Sequence, residues 1–288
     1  MTDSKKTLTS FDFEAMKPKR LEMDCDQHGK VMHFGNERIG YHCLTCEQEN
    51  KERQEKENID KIYKVYQATM IDCGVKPNGK RFEDWQFDDK QADRQKNIIK
   101  TLQELSDNIS VKYNSTKNAT LPNVLLVGGT GSGKTMLANA LAKAVYRKAA
   151  AIDVENKVDH SRAGRQCAKL IKSRDITEQA KATWGDYKES EYKLIEYLAG
   201  FQLLIIDDLG DSDTASNQDM AAADRGRIAQ IIDKRYQKRP TVITTNLDIE
   251  DIASHLGDRA WDRLQENLII IKCDWASYRQ SVAKVAYL

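Results

Sequence analysis

Short apolar runs alternate with helix-compatible stretches over most of this 288-residue chain. The runs are rich in Val, Ile and Leu, as expected of strands that are buried on both faces of a sheet. Five strands are predicted in this way, at Val124–Val127, Ala168–Lys172, Gln202–Asp207, Thr241–Thr245 and Leu268–Lys272. Strands that alternate with helices are joined by right-handed crossovers, which make the sheet parallel. The pattern therefore predicts an open α/β domain that binds its ligand at the carboxyl edge of a five-stranded parallel sheet.

Apolar positions at helical spacing predict two helices around the first strand. One runs from about Lys90 to Ile109, and its apolar face carries Ile98, Leu102, Leu105 and Ile109. The other covers Met136–Lys148, where apolar residues recur every four positions, at Leu137, Leu141 and Val145. Residues 150–163 are interpreted as an insertion before the second strand, with no assigned role.

A further helical pattern precedes the α/β region. Residues Glu47–Glu57 are dense in charges of both signs, and apolar positions then repeat at Ile59, Ile62, Tyr63, Tyr66 and Met70. This stripe predicts a linker helix whose apolar face either packs into a core or binds a partner protein, and the sequence leaves both open. Gly74–Gly79 contains Pro77 and an Asn-Gly pair, so we expect a domain boundary there.

The loop after the first predicted strand carries the strongest chemical signal. It matches the phosphate-binding pattern G-x-x-x-x-G-K-[ST] at every required position and consists of Gly128, Gly129, Thr130, Gly131, Ser132, Gly133, Lys134 and Thr135. Its glycines let successive backbone N–H groups face one anion, and the N-terminus of the following helix adds partial positive charge. Lys134 is then expected to reach the β- and γ-phosphates of ATP, while Thr135 ligates Mg²⁺.

Two carboxylates end the third predicted strand. Asp207 and Asp208 follow the apolar run Leu203–Ile206, which delivers them to the carboxyl edge of the sheet beside the phosphate loop. Asp207 is expected to hold Mg²⁺, directly or through water. Asp208 is expected to orient or deprotonate an attacking water molecule.

A second group of candidate functional residues, which are possible metal ligands, lies near the N-terminus. Cys25 and His28 form one short pair and Cys43 and Cys46 form another, which is the spacing of a structural zinc site. His33 and His42 remain alternatives to His28 as ligands. The intervening segment predicts a small hairpin that brings both pairs to one Zn²⁺, and so small a module lacks a sufficient core without a metal. The remaining cysteines are expected to be ordinary thiols.

Composition limits the partners and the compartment. The chain carries 45 basic and 44 acidic residues, so any nucleic-acid contact requires local basic patches rather than a uniformly basic surface. No stretch approaches a membrane span, and residues 1–10 lack the apolar core of a signal peptide. We therefore expect a cytoplasmic protein with a flexible N-terminus (1–20), a zinc-binding module with its linker helix for partner binding (21–73) and an α/β domain (80–288).

From about Phe82 to its end the chain resembles the AAA+ ATPases, specifically DnaC-type helicase loaders and their IstB-type relatives. Thr244-Thr245-Asn246 matches sensor I, which implies that Asn246 positions the lytic water. The segment Leu256–Arg263 resembles box VII, which supplies an arginine finger to the nucleotide of a neighbouring subunit. Arg263 is the first candidate and Arg259 the second, and ATP turnover would then require a homo-oligomer.

The C-terminus is similar to the short ending of the DnaC-type loaders. Only a short segment follows Cys273, which implies a truncated AAA+ lid, and the resemblance gives Arg279 the role of sensor II. Loaders generally carry Glu where this chain has Asp208, so hydrolysis is expected to be slow. The family also suggests that basic residues contact single-stranded DNA, here Arg162, Arg165, Lys169, Lys172, Arg174, Lys234, Arg235, Lys238 and Arg239.

The resemblance implies an ATP-dependent loader of a replicative DnaB-type helicase onto single-stranded DNA. The N-terminal module would then hold the helicase, as in that class. Two alternatives stay open: an IstB-type transposition helper that acts on duplex DNA, and a nucleotide-gated DNA-binding adaptor with little hydrolysis.

Overall fold

The computed structural model describes residues 17–112, 115–182, 187–210 and 218–278. The chain forms two compact units, which divide between Lys61 and Ile62, inside a single long helix. The expected flexible segment 1–20 lies almost entirely outside the described residues.

The first unit contains a small antiparallel sheet with the order β1-β2-β3. Its strands are β1 (Lys19–Cys25), β2 (Gly29–Asn36) and β3 (Gly40–Cys43), and helix α1 (Leu44–Asp72) begins directly after β3. The predicted hairpin corresponds to β2 and β3, whereas β1 was not predicted. Lys19–Cys25 alternates charged and apolar residues and is mostly exposed, so it lacks the apolar run that identifies a buried strand.

The second unit is built on a five-stranded sheet with the order β5-β6-β7-β4-β8. Its strands are β4 (Asn123–Val127), β5 (Ala168–Lys172), β6 (Leu203–Leu209), β7 (Thr241–Thr245) and β8 (Leu268–Lys272). Every neighbouring pair is parallel. The predicted α/β class and the five-stranded parallel sheet are therefore confirmed.

Helices cover both faces of this sheet. They are α2 (Ala92–Asn108), α3 (Lys134–Glu155), α4 (Ser173–Ala182), α5 (Tyr187–Gly200), α6 (Gln218–Arg235), α7 (Ile249–Leu256) and α8 (Asp258–Gln265). Short 3-10 helices lie at Phe82–Asp84, Thr116–Thr120 and His160–Arg162. Side chains alternate across β4, so Val124 and Leu126 join one core with α2 and α3, while Leu125 and Val127 join the other with α5 and α6.

The apolar stripe of the linker helix belongs to the core of the second unit. Ile62, Tyr66 and Met70 are buried together with residues of α2 and α3. The Tyr66 hydroxyl donates a hydrogen bond to Asp153 Oδ2 at 2.6 Å, and Arg165 Nη2 donates to Asp153 Oδ1 at 2.5 Å. Core packing, the first of the two uses considered for this stripe, therefore holds for the part of α1 after Lys61.

The helix predicted to end at Lys148 is longer in the structure, where α3 continues to Glu155. Residues 150–163, interpreted as an insertion, therefore contain the last turns of α3 and the 3-10 helix at His160–Arg162. The buried Asp153 contributes to this difference, since a charged residue on the inner face interrupts the apolar pattern of the helix. The described chain ends at Tyr278, so the expected truncated lid lies outside the described residues. Within the described segments, no helix is long and apolar enough to cross a membrane.

Candidate functional site

The phosphate-loop sequence forms a tight turn between β4 and α3. Gly128, Gly131 and Gly133 all have positive φ, and Gly133 caps the helix that begins at Lys134. A Cβ at Gly133 would come within 2.8 Å of the Trp85 ring, so this position excludes a side chain sterically as well as conformationally. The loop therefore directs the N-terminus of α3 toward the carboxyl edge of the sheet.

Lys134 is held inside this loop. Its Nζ donates hydrogen bonds to Gly128 O at 2.7 Å, to Gly129 O at 2.9 Å and to Asn246 Oδ1 at 2.8 Å. The side chain is 5% exposed. The residue expected to bind phosphate and the residue expected to position water are thus in direct contact.

Thr135, Asp207 and Thr244 form a polar corner beside Lys134, in which Asp207 and Thr244 are buried and Thr135 is exposed. Asp207 Oδ1 accepts hydrogen bonds from Thr135 Oγ1 at 3.0 Å and from Thr244 Oγ1 at 2.6 Å. Asp207 Oδ2 is buried without a hydrogen-bond partner. A buried carboxylate oxygen with unused lone pairs next to a threonine hydroxyl suits a hard divalent cation, so these residues fit the expected Mg²⁺ ligands.

Asp208 adopts the left-handed backbone conformation, with φ of 56°. Its backbone N–H donates to Thr244 Oγ1 at 3.0 Å, and its carbonyl accepts from Ser173 Oγ at 2.8 Å. The register between β6 and β7 shifts at this point. The two adjacent carboxylates consequently differ: Asp207 is buried at the polar corner, whereas Asp208 lines the open cleft in front of the loop.

That cleft has a volume of about 720 Å³. It is lined by the phosphate loop and the start of α3, by residues of the segments 74–95 and 275–278, and by Leu170, Asp208 and Asn246. Trp85 and Trp275 pack edge to face, with ring centroids 5.8 Å apart, and Trp275 Nε1 donates to Ser132 O at 2.8 Å. Pockets of this size and mixed lining commonly hold small ligands. Sequence reasoning missed Trp85 and Trp275 as cleft residues, and Thr244 as the buried partner of Asp207.

Arg259 and Arg263 do not line this cleft. Both lie on α8 and pair with Asp233 of α6. Arg263 faces a separate cavity that also contains Asn123 and Thr241, where β4 and β7 begin. It therefore lies at the edge of the sheet opposite the phosphate loop. Arg279, the sensor II candidate, lies outside the described residues.

Two of the basic residues predicted to contact DNA, Arg235 and Lys169, are buried, so the prediction is wrong for them. Arg235 is 1% exposed and donates hydrogen bonds to carbonyl oxygens, including Phe201 O at 2.6 Å. Burial and the nearby Arg239 lower the pKa of Arg235 to about 9. Lys169 is also buried and donates to Asp72 O at 3.2 Å. In the sequence, neighbouring basic residues look like part of a solvent-exposed surface. In the structure, the side chains of Arg235 and Lys169 instead donate hydrogen bonds to backbone carbonyl groups.

The first unit brings the two Cys/His pairs together. Ligand atoms of Cys25, His28, Cys43 and Cys46 all lie within 4.8 Å of one another. Cys46 Sγ is 3.5 Å from Cys25 Sγ and 3.4 Å from His28 Nδ1. Zn–S bonds of about 2.3 Å and Zn–N bonds of about 2.0 Å at tetrahedral angles require separations of roughly 3.5 to 3.8 Å. The cluster therefore has the dimensions of a zinc site.

Two contacts around this cluster favour a bound metal. His28 Nε2 donates to Glu49 Oε1 at 3.0 Å, which leaves Nδ1 directed at the three sulfurs. The backbone N–H of Cys46 points to Cys43 Sγ and lowers the pKa of that thiol to about 6. His33 is instead turned to Val31 O at 3.1 Å, and neither alternative histidine joins the cluster.

Comparisons with known proteins identify a family for most of the chain. Residues 54–286 match the family described as "IstB-like ATP binding protein". No curated protein matches the sequence.

Similar solved structures include DnaI, at 16% identity, with a TM-score of 0.46, covering 69% of this chain and 90% of that chain. The DnaC helicase loader is 21% identical, with a TM-score of 0.47, covering 67% of this chain and 95% of that chain. AMPPCP-bound DnaA from Aquifex aeolicus is 12% identical, with a TM-score of 0.47, covering 69% of this chain and 51% of that chain. Because the family match spans most of the chain and includes the whole phosphate-loop cleft, this protein belongs to the IstB-like ATP-binding family.

Proposed function

We propose that this protein is a DNA-dependent ATPase that loads a replicative DnaB-type helicase onto single-stranded DNA. The observation that carries the ATPase part is the convergence of four residues on one cleft, with Asp207 hydrogen-bonded to one of them, Thr135, from behind; the other three are Lys134, Asp208 and Asn246. Each of these groups has a specific task in phosphoryl transfer, and the family is an ATP-binding one.

Each residue of the cleft has a separate role in ATP hydrolysis. Lys134 exchanges its contacts with loop carbonyls for contacts with the β- and γ-phosphates, and the loop amides bind the same oxygens. Thr135 and Asp207 would hold Mg²⁺, and the bound ion would neutralise negative charge at the phosphates. Asn246 positions the attacking water molecule. Asp208 either accepts a proton from this water molecule or orients it for attack.

A homo-oligomer completes the site. Arg263 and the cleft lie at opposite edges of the same sheet, so Arg263 does not serve the nucleotide of its own subunit. A neighbouring copy that presents α8 to the cleft would supply the guanidinium that stabilises charge on the transferring phosphoryl group. In this proposal Arg279 acts as sensor II and Arg259 as the alternative finger.

The first unit serves partner binding. Cys25, His28, Cys43 and Cys46 would hold Zn²⁺, which closes the small sheet onto the start of α1 and gives the unit a stable surface. We assign this surface to the helicase, in line with the arrangement of DnaC-type loaders. Metal analysis should find about one zinc per chain in the purified protein. Retention of that zinc after Cys43→Ser with Cys46→Ser would exclude this ligand set.

A transposition helper that acts on duplex DNA is the second candidate, and the family description "IstB-like" is the observation that favours it. The two functions share the ATPase site, so the partner and the form of DNA discriminate between them. A nucleotide-gated adaptor would bind ATP with the same affinity but show negligible turnover with any DNA.

The test combines affinity capture with a turnover assay. The tagged chain is used as bait in lysate of the source cell, with ATP and without it, beside Lys134→Ala as a matched bait. ATP-sensitive recovery of a replicative helicase, with turnover stimulated by single strands more than by duplex, supports the loader. Recovery of a transposase, with stimulation by duplex DNA, would refute the loader in favour of the transposition helper.

A further inference from the structure

Asp233 of α6 is shared by the two arginines of α8. Its Oδ2 lies 3.4 Å from Arg259 Nε, and its Oδ1 pairs with Arg263 Nη1. One carboxylate therefore forms ion pairs with both candidate arginine fingers, one at each oxygen, although the contact of Oδ1 lacks the geometry of a hydrogen bond. No sequence motif singled out Asp233, because a lone aspartate in a charged helix is common on protein surfaces.

The two arginines are held very differently. The Arg259 side chain is 75% exposed, and its Nε atom lies 3.4 Å from the carboxylate of Asp233. The Arg263 side chain, in contrast, is only 25% exposed. The Arg263 guanidinium also lies over the Tyr236 ring, 5.2 Å from its centroid. Tyr236 is itself braced, because Gln237 Nε2 donates to its hydroxyl at 3.1 Å. Carboxylate and ring together restrict the guanidinium of Arg263 more than that of Arg259.

This geometry leaves donors available on Arg263. A guanidinium carries five N–H donors in a rigid plane, and the contact with Asp233 uses Nη1. The donors on Nε and Nη2 remain for a phosphate oxygen while the carboxylate contact persists. A finger that is already ordered loses less side-chain entropy when it meets the transition state.

We propose that Asp233 is a positioning residue that orients Arg263 for the nucleotide of a neighbouring subunit. This inference rests on the proposed trans-acting role of Arg263. It also selects Arg263 over Arg259 as the finger, because Asp233 and Tyr236 fix only the former on two sides.

The test is steady-state ATP turnover of the full-length protein with single-stranded DNA, measured over a range of protein concentrations. Asp233→Asn keeps the shape of the side chain but removes its charge. We expect a loss of maximal turnover of about tenfold, the scale of releasing one rotamer-rich side chain, with KM for ATP unchanged within about twofold. Asp233→Glu should restore most of the turnover, because it returns a carboxylate.

The double variant separates orientation from stability. In an Arg263→Ala background, Asp233→Asn should cause no further loss, because its effect passes through that arginine. Asp251→Asn on the adjacent α7 is the matched control, an exposed carboxylate that touches neither arginine in any contact of the described residues, and it should leave turnover unchanged. Thermal unfolding of each variant reports whether the fold is kept.

Three results would overturn the inference: unchanged turnover in Asp233→Asn, increased turnover, or an equal loss in the presence and absence of Arg263. Increased turnover would mean that Asp233 restrains the finger instead of presenting it. If Arg263→Ala itself turns over normally, the trans-arginine proposal fails first. An effect of Arg263→Ala without an effect of Asp233→Asn removes only the role of Asp233.

Discussion

Replacement of Lys134 by alanine tests the phosphate-loop assignment most sharply. The Nζ atom donates short hydrogen bonds to Gly128 O, Gly129 O and Asn246 Oδ1, and it lies 3.5 Å from Ser132 Oγ. When ATP binds, Lys134 exchanges some of these for bonds to phosphate oxygens. Two charge-assisted bonds to phosphate contribute about 5 kcal/mol, from which the surrendered bonds subtract about 2 kcal/mol. The net loss of about 3 kcal/mol corresponds to an ATP affinity lower by roughly a hundredfold.

Binding of a fluorescent ATP analogue with Mg²⁺ measures this change directly. Lys148→Ala is the matched control, because Lys148 lies on the same helix and donates to Ile109 O at 2.8 Å, outside the cleft. We expect the control to bind ATP normally and both variants to keep their secondary structure by circular dichroism. An affinity of Lys134→Ala within threefold of the unmodified protein would refute the placement of the triphosphate in this loop.

Three further predictions concern other parts of the chain. Asp208→Glu extends the carboxylate by one methylene into the cleft, so turnover should rise roughly tenfold at unchanged ATP affinity; a decrease would mean that this carboxylate does not address the water. Glu49→Ala removes the acceptor of His28 Nε2 and should lower zinc affinity about 10- to 100-fold in competition with a chelator; equal affinity would argue against the cluster as a zinc site. Tyr66→Phe removes the donor to buried Asp153 and should lower the free energy of unfolding in urea by about 1 to 3 kcal/mol; a change below about 0.5 kcal/mol would contradict the importance of that network.

The sequence predicted the central sheet well because local pattern and tertiary environment agree there. The bounds of β5, β7 and β8 match the predicted strands, since each is a short apolar run with polar or turn residues at its ends. The phosphate loop was recognisable because its chemistry requires particular residue types at fixed spacing. The same holds for the two Cys/His pairs of the first unit.

Contacts between distant segments were not predictable in this way. Trp85 and Trp275 meet across the cleft although they are far apart in the chain, and no local pattern marks either as a neighbour of the phosphate loop. Arg235 has the sequence context of a surface cation, yet it is buried against carbonyls at the end of α5. Asp233 became relevant only when packing of α6 on α8 brought it to Arg263. Residue type does not encode such tertiary environments.

The most direct test of the account is a crystal structure of the full-length protein grown with a non-hydrolysable ATP analogue and Mg²⁺. We expect the triphosphate to lie along residues 128–135, with Lys134 on its β- and γ-phosphates and the metal ion bonded to Thr135 Oγ1 beside Asp207. Nucleotide bound elsewhere while this cleft retains the contacts of Lys134 with Gly128 and Asn246 would contradict the central claim.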